Sequence, residues 1–382
     1  MDLNFLKPIF SCWFGLPILF VFSVVVFFHE LGHFLVARWC GVRVLVFSIG
    51  FGPELFGFDD RHGTRWKISA VPLGGYVKFL GDENAASVPD QAAVASMSEA
   101  DRRESFVDQP VGKRAAVVAA GPFANFLLAI VIFAGFAAYM GKPSSIPRVD
   151  TVVAGSPAEA AGFKPGDIIL SINGRRIETF TEMQRIVTRS AGETLVIVVK
   201  RGEQELTLTA VPRLEEREDA FGNVQRVGIL GIGRSTDPNE RLYEPVSPVG
   251  AVVWGVQETW FVIERTLSYI GGVFSGRESA DQVGGPIRIA EVSCQVFFVS
   301  MLALLQLTAV LSISIGLLNL FPIPLLDGGH LLFYSIEKVR GRALSERAQE
   351  VGFRIGLALV VMLMVFATYN DISRHVKKWF FS

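Results

Sequence analysis

Four long stretches without a charged side chain constrain this 382-residue chain more than any other feature of it. Residues 8–28, 115–141 and 292–326 contain no Asp, Glu, Lys or Arg, and 355–370 is a shorter fourth run. A helix needs roughly 20 apolar residues to cross the hydrocarbon core of a bilayer. The chain therefore reads as a polytopic α-helical membrane protein with four transmembrane helices, expected at 8–37, 115–141, 292–320 and 353–370. Composition agrees, since only 19% of residues are charged, against about 25% in a soluble domain. The first run reads as retained rather than as a cleaved leader. Lys7 is its only preceding cation, no small-residue cleavage site follows, and it continues into His29 and Glu30. A net charge of −1 points to no nucleic-acid partner. Cys12, Cys40 and Cys294 form no CxxC pair; Cys12 and Cys294, in or beside apolar runs, read as free thiols acting as small hydrophobes.

Between the runs the composition changes in a readable way. Residues 38–114 form a β-like loop and linker, with Val-, Ile-, Phe- and Gly-rich stretches at 42–58 and 66–80 and a polar segment at 81–108 that reads as a loop or as disordered. Residues 148–213 read as a compact α+β module. Its strands fall at 148–154, 167–172, 194–200 and 205–211, with a tight Asn173-Gly174 turn and an amphipathic helix at 179–190. Residues 214–291 read as a linker, charged and irregular at 214–245 and then helical and amphipathic at 246–274. Glu258, Glu264 and Arg265 argue against a fifth span there and for a helix lying on the membrane surface. Residues 321–352 read as the proline-containing end of the third run followed by a loop. Ten Lys and Arg lie between the first two expected spans, four (Lys338, Arg340, Arg342, Arg347) between the last two, and Lys7 alone precedes the first. Those two loops are therefore expected in the cytoplasm, with the α+β module and both termini outside.

The chemistry begins at the end of the first run, with His29-Glu30-Leu31-Gly32-His33. Residues four apart share a helix face, so the two imidazoles can bind one Zn²⁺. Zinc brings the pKa of a bound water to about 7, and Glu30, beside the first ligand, is placed to take its proton. Ionisable groups in a span each cost about 2.5–3.5 kcal/mol on insertion scales unless they pair or bind something. A catalytic zinc needs a third protein ligand. Glu54 is one candidate, in the β-like loop. Asp327 is the favoured one: it ends the third run, after Pro322 and Pro324 break the helix and before Gly328 and Gly329 free the backbone. Alone, it would read as a helix cap; opposite an intramembrane HExxH that lacks a ligand, it reads as the metal's third donor. His330 is left out of the set, and Asn125, in the second run, reads as a packing residue that bonds across helices. No GxSxG nucleophile motif occurs. A metal transporter would repeat its ligands along several spans.

HExxH in a first span, paired with Asn319-x-x-Pro322-x-Pro324-x-Leu326-Asp327-Gly328 in a later one, resembles the paired signature of the site-2 protease family. Residues 72–78 (PLGGYVK), 119–126 (AAGPFANF) and 284–287 (GGPI) extend the resemblance over nearly the whole chain. It implies a zinc metalloendopeptidase of the bacterial inner membrane, with His29, His33 and Asp327 on zinc, Glu30 as base and Asn319 facing substrate. It implies single-span substrates in the lipid bilayer, such as anti-sigma factors in regulated intramembrane proteolysis and stress response, and in some members leftover signal peptides. Residues 155–158 (GSPA) and 162–167 resemble a PDZ ligand loop, which would take a PDZ ligand or regulatory partner. The chain has room for one PDZ and so fits the shorter branch of the family. Gly75, Tyr76 and Val77 are candidate substrate-binding residues, because the β-like stretch could accept an unwound substrate as an added strand. The rival reading is an inactive PDZ membrane adaptor, which would need none of these metal-binding residues.

Overall fold

A computed structural model of the chain describes residues 15–82, 96–143, 147–218, 224–233, 243–276, 280 and 284–381. The start of the first run, Cys12 and the centre of the polar segment at 81–108 lie outside the described residues. The chain divides into two compact units, one made of residues 1–133, 255–271 and 283–382 and the other of 134–254 and 272–282.

The first unit is a helical bundle with a β-hairpin packed on it. Its helices include α1 (Leu16–Trp39) and the start of α2 (Val111–Met140). Four candidate spans are long and apolar enough to cross a membrane: Leu16–Trp39, Val111–Met140, Met301–Asn319 and Arg347–Arg374. The chain is thus a multi-pass membrane protein with β-sheet outside its spans. Helices α1 and α2 touch backbone to side chain, for a Cβ on Gly32 would overlap the Ala120 carbonyl and lie 2.7 Å from the Ala124 methyl. Small residues at such crossings let helices approach closely without a solvent-driven hydrophobic force between them.

The third uncharged run departs from the single span expected at 292–320. It breaks at Ser300 into two helices, α5 (Pro286–Val299) and α6 (Met301–Asn319), once α3 (Phe180–Arg189) and α4 (Pro248–Phe274) have intervened. Ser300 is extended (φ −172°, ψ 155°) and its hydroxyl accepts the Ala303 N–H, so it caps α6. The run is longer than one membrane crossing, and the added length goes into a second helix rather than a longer span. Helix α7 (Asp327–Arg340) follows, then α8 (Glu346–Phe381). Cys294, in α5, is disulfide-bonded rather than the free thiol expected; Cys40 is free.

The hairpin joins β1 (Val44–Asp59) to β2 (Arg65–Phe79). It is bent double. Phe47 is paired with Val77 on one side and Trp66 on the other, and Ile49 with both Gly75 and Ile68. The register shifts between Ile49 and Glu54, where Gly50 and Gly52 have φ of 89° and 87°. The ring of Phe47 stacks on Trp66 at 4.2 Å and meets Phe34 of α1 at 5.6 Å. With Val77, Phe79, Phe106 and Val117 these rings form one buried cluster that fixes the hairpin to α1 and α2.

In the second unit, β3 (Ile168–Ile172), β4 (Arg175–Arg176), β5 (Leu195–Arg201) and β6 (Gln204–Ala210) make an antiparallel sheet in the order β4-β3-β5-β6. Asn173 (φ 50°) and Gly174 (φ 79°) form the tight turn, since both centres of such a turn need positive φ. The Asp167 carboxylate is fully buried. Burial pushes its pKa up, but hydrogen bonds from Arg201 and from the Lys164 N–H outweigh that and hold it below the ordinary value. The module runs past its expected end at residue 213. Residues 214–245 are not all irregular: β7 (Arg213–Glu218) pairs with β8 (Val224–Ile229). Leu230 then enters the core at 2% exposure, and Ile232–Gly233 pairs with Thr151–Val152. Four consecutive charges on β7, Glu215 to Glu218, open this segment and mask it in the sequence, while the apolar residues that join the core come after them.

Candidate metal centre

The candidate site lies wholly in the first unit. Helical spacing brings His29 and His33 onto one face of α1, each 9% exposed, with Nε2 atoms 3.2 Å apart. Helix α6 ends at Asn319, and the chain through Pro322 and Pro324 turns back so that Asp327 opens α7. Leu325 pays the conformational cost with φ of 102°, a region a branched side chain enters only under constraint. Gly328 and Gly329 complete the turn, since a Cβ on either would overlap the carbonyl of Phe321 or Ile323. An ion pair holds α7 against α2: Arg114 donates to Glu337 at 2.6 Å and lies 4.9 Å over the Tyr334 ring.

These elements bring Asp327 Oδ2 to 3.2 Å from His29 Nε2 and 3.6 Å from His33 Nε2. Together His29, His33 and Asp327 form a possible metal-holding group, with ligand atoms all within 4.8 Å of one another. Ligands at 2.0–2.2 Å in a tetrahedral shell stand about 3.3–3.5 Å apart, so the three atoms already have the spacing a zinc ion requires. Asp327 Oδ2 is also buried without a hydrogen-bond partner, a costly state for a carboxylate oxygen that a cation relieves. The residues fit zinc.

The ring backs are held by α2. The Val117 carbonyl lies 2.9 Å from His33 Nδ1, and the Asn125 amide 3.2 Å from His29 Nδ1. Gly121 lies between them, where a Cβ would overlap His33 Nε2 and come 2.9 Å from His29 Cε1. Sequence reading missed Gly121 and took Asn125 for packing alone. The signal was available in their spacing, one small and one polar residue four apart on a span, facing the same way as the histidine pair.

Glu30 is placed differently from the histidines. Its carboxylate accepts the Val77 backbone N–H, and a Cβ on Gly75 would come 3.2 Å from its Cγ. Gly75 and Val77 thus flank Glu30 on β2, while Tyr76 stacks on Phe51 with centroids 6.1 Å apart. Asn319 ends α6, eight positions before Asp327. Glu54 stays on the hairpin, where Arg65 hydrogen-bonds its carboxyl and holds it below the usual carboxylate range. His330 packs against Phe353, 5.5 Å between centroids. The two candidates for third ligand therefore separate by experiment. Asp327→Asn is expected to lose most bound zinc and Glu54→Gln to keep the wild-type content, as measured by zinc per purified chain; loss from Glu54→Gln alone would reverse the assignment.

Comparison with known proteins agrees with this chemistry. The profile of peptidase family M50 matches residues 17–363. A relative from Agrobacterium fabrum named for zinc metalloprotease activity is 50% identical over 94% of this chain and 95% of its own length. One from Mesorhizobium japonicum, named likewise, is 48% identical over 93% and 97%. Metalloprotease MmpA of Caulobacter vibrioides is 42% identical over 94% and 95%. A match of that depth spans both the histidine helix and the aspartate turn, and it settles the class: this chain belongs to peptidase family M50 and is a zinc metalloendopeptidase.

Proposed function

We propose that this protease hydrolyses peptide bonds within the transmembrane segments of single-span membrane proteins, with zinc held by His29, His33 and Asp327 and with Glu30 as general base. The observation that carries the reading is that His29, Glu30 and His33 belong to a helix that is itself of span length and apolar. When bound, zinc would supply Lewis acidity toward water and the scissile carbonyl. Glu30 takes the proton of the attacking water and passes it to the leaving amine. Its hydrogen bond from the Val77 N–H holds the carboxylate beside β2, so a substrate strand added along Gly75, Tyr76 and Val77 would lie next to the base. Asn319 would contact that strand from the end of α6.

Residues 148–233 are read as the single PDZ module, on the periplasmic side of the bacterial inner membrane. The support is the concentration of Lys and Arg in the two loops assigned to the cytoplasm. The module would hold a PDZ ligand or regulatory partner. The substrates proposed are anti-sigma-factor-like proteins in regulated intramembrane proteolysis and stress response, together with remnant signal peptides.

A span's carbonyls are locked in its own hydrogen bonds, and lipid offers nothing to replace them. Substrate unwinding should therefore limit the rate. In proteoliposomes, spans carrying Gly or Pro near the cut are expected to be cleaved at least about fivefold faster than Leu-only spans, as one helix-breaking residue relieves about 1–3 kcal/mol, and a chelator should stop both. Equal rates for the two kinds of span, or cleavage confined to soluble peptides, would overturn the proposal.

A further inference from the structure

Asn125 is fully buried on α2, four residues after Gly121. As placed, its Nδ2 lies 3.2 Å from His29 Nδ1, and its Oδ1 is buried without a partner. The nitrogen and oxygen of an amide exchange by a half-turn with almost no change in shape, so the bonding decides which faces the ring. Were the NH₂ to donate, His29 Nδ1 would hold the lone pair and the ring proton would sit on Nε2. That atom is 3.2 Å from both Asp327 Oδ2 and His33 Nε2, and a protonated Nε2 has no lone pair for a metal. With the amide turned, Oδ1 accepts the Nδ1–H and the Nε2 lone pair points at the other two donors. The placed orientation already leaves the amide oxygen unpartnered, so satisfaction of the amide does not favour it. The tautomer decides between the two orientations.

We infer that Asn125 is a positioning residue for the metal centre: its amide oxygen accepts from His29 Nδ1–H and fixes the ring in the tautomer that presents Nε2 to zinc. This rests on His29 being a ligand. His33 receives the same support from a main-chain carbonyl, that of Val117, so α2 orients both rings from behind. Asn125 is itself held from the far side, where the Ser312 hydroxyl of α6 donates to its backbone carbonyl at 2.9 Å. A Cβ on Gly316, one turn further along α6, would come 3.1 Å from the Asn125 Cβ. Any larger residue at 316 would press on the Asn125 side chain at its Cβ. Partners of this kind set ligand basicity as well as ring orientation, and losing one costs about 10–100-fold in metal affinity.

The test uses the full chain in detergent and reads zinc affinity by competition with a chelating dye. Asn125→Leu keeps the branched outline of the side chain and removes the acceptor; it is expected to weaken zinc binding about 10–100-fold. Asn125→Asp keeps an acceptor at the same place and is expected to bind close to wild type. Wild-type affinity in Asn125→Leu, or equal losses in both variants, would overturn the inference. Should Asn125→Leu fail to fold, selective ¹⁵N-histidine spectra of the zinc-loaded wild type still decide, because a proton on His29 Nε2 or metal on Nδ1 contradicts it. His29→Ala separates this inference from the reading beneath it. Wild-type zinc affinity in that variant removes the ligand assignment, whereas zinc loss there beside an unaffected Asn125→Leu removes only the positioning role.

Discussion

Glu30→Gln is expected to lower cleavage by about 10²–10⁴-fold, the usual weight of a positioned general base, while each chain keeps its zinc. Two observations set this combination. Glu30 is not among the atoms that cluster as a metal group, which are those of His29, His33 and Asp327. It is instead tied to β2 through the Val77 N–H. Glutamine has the same shape and can accept that same N–H through its amide oxygen, so the local packing survives. What it cannot do is take a proton. His33→Ala is the contrasting variant: it removes a donor atom and should lose zinc and activity together. The measurement is zinc per chain alongside turnover of a reconstituted single-span substrate. Full turnover in Glu30→Gln would remove the base assignment, and zinc loss in that variant would make Glu30 a ligand.

The parts of this molecule that were legible from sequence are those where one local rule acts alone. Spacing of four on a helix brings His29 and His33 together whatever surrounds them. The proline pair and the two glycines around Asp327 announce a chain reversal, and a reversal at the end of a span leaves a carboxylate near the membrane-embedded face. Where two rules compete, the reading was incomplete. The run at 292–326 carries no proline before Pro322, yet Ser300 ends one helix and caps the next, because a capping hydroxyl is favoured at a break that the length of the run already requires. Residues 214–245 carry so many charges that the apolar residues among them were passed over, although Leu230 belongs to the module core. The double bend of the hairpin was likewise hidden. Strand pattern fixes which side chains share a face, but Phe47 lying between Val77 and Trp66 is a long-range pairing. Asn125 was hidden for another reason: a lone Asn in a span satisfies a packing account and a metal-supporting account equally well, and only the distance to His29 tells them apart.

Gly121→Ala is expected to remove about 10²-fold of the activity, the scale on which a ligand displaced by an ångström is felt, and most of the bound zinc with it. The methyl would overlap His33 Nε2 and stand 2.9 Å from His29 Cε1. Neither ring can withdraw easily. His33 is fixed at its other nitrogen by the Val117 carbonyl at 2.9 Å. The two helices can separate only by giving up the contact between Gly32 and Ala120, together with the buried cluster that joins Phe34 to Val117. The cheaper response is for the imidazoles to rotate, and rotation takes their Nε2 atoms off the 3.2 Å spacing that suits a shared ion. Gly135→Ala is the matched control, since it lies on the same helix and a Cβ there meets nothing within 4 Å. That variant should insert, bind zinc and cleave like wild type. Both are to be compared by zinc content, cleavage rate and helical circular dichroism in the same detergent. If Gly121→Ala matched Gly135→Ala in all three, the histidine rings could not be packed against α2 as described, and the support that α2 gives the metal centre would have to be abandoned.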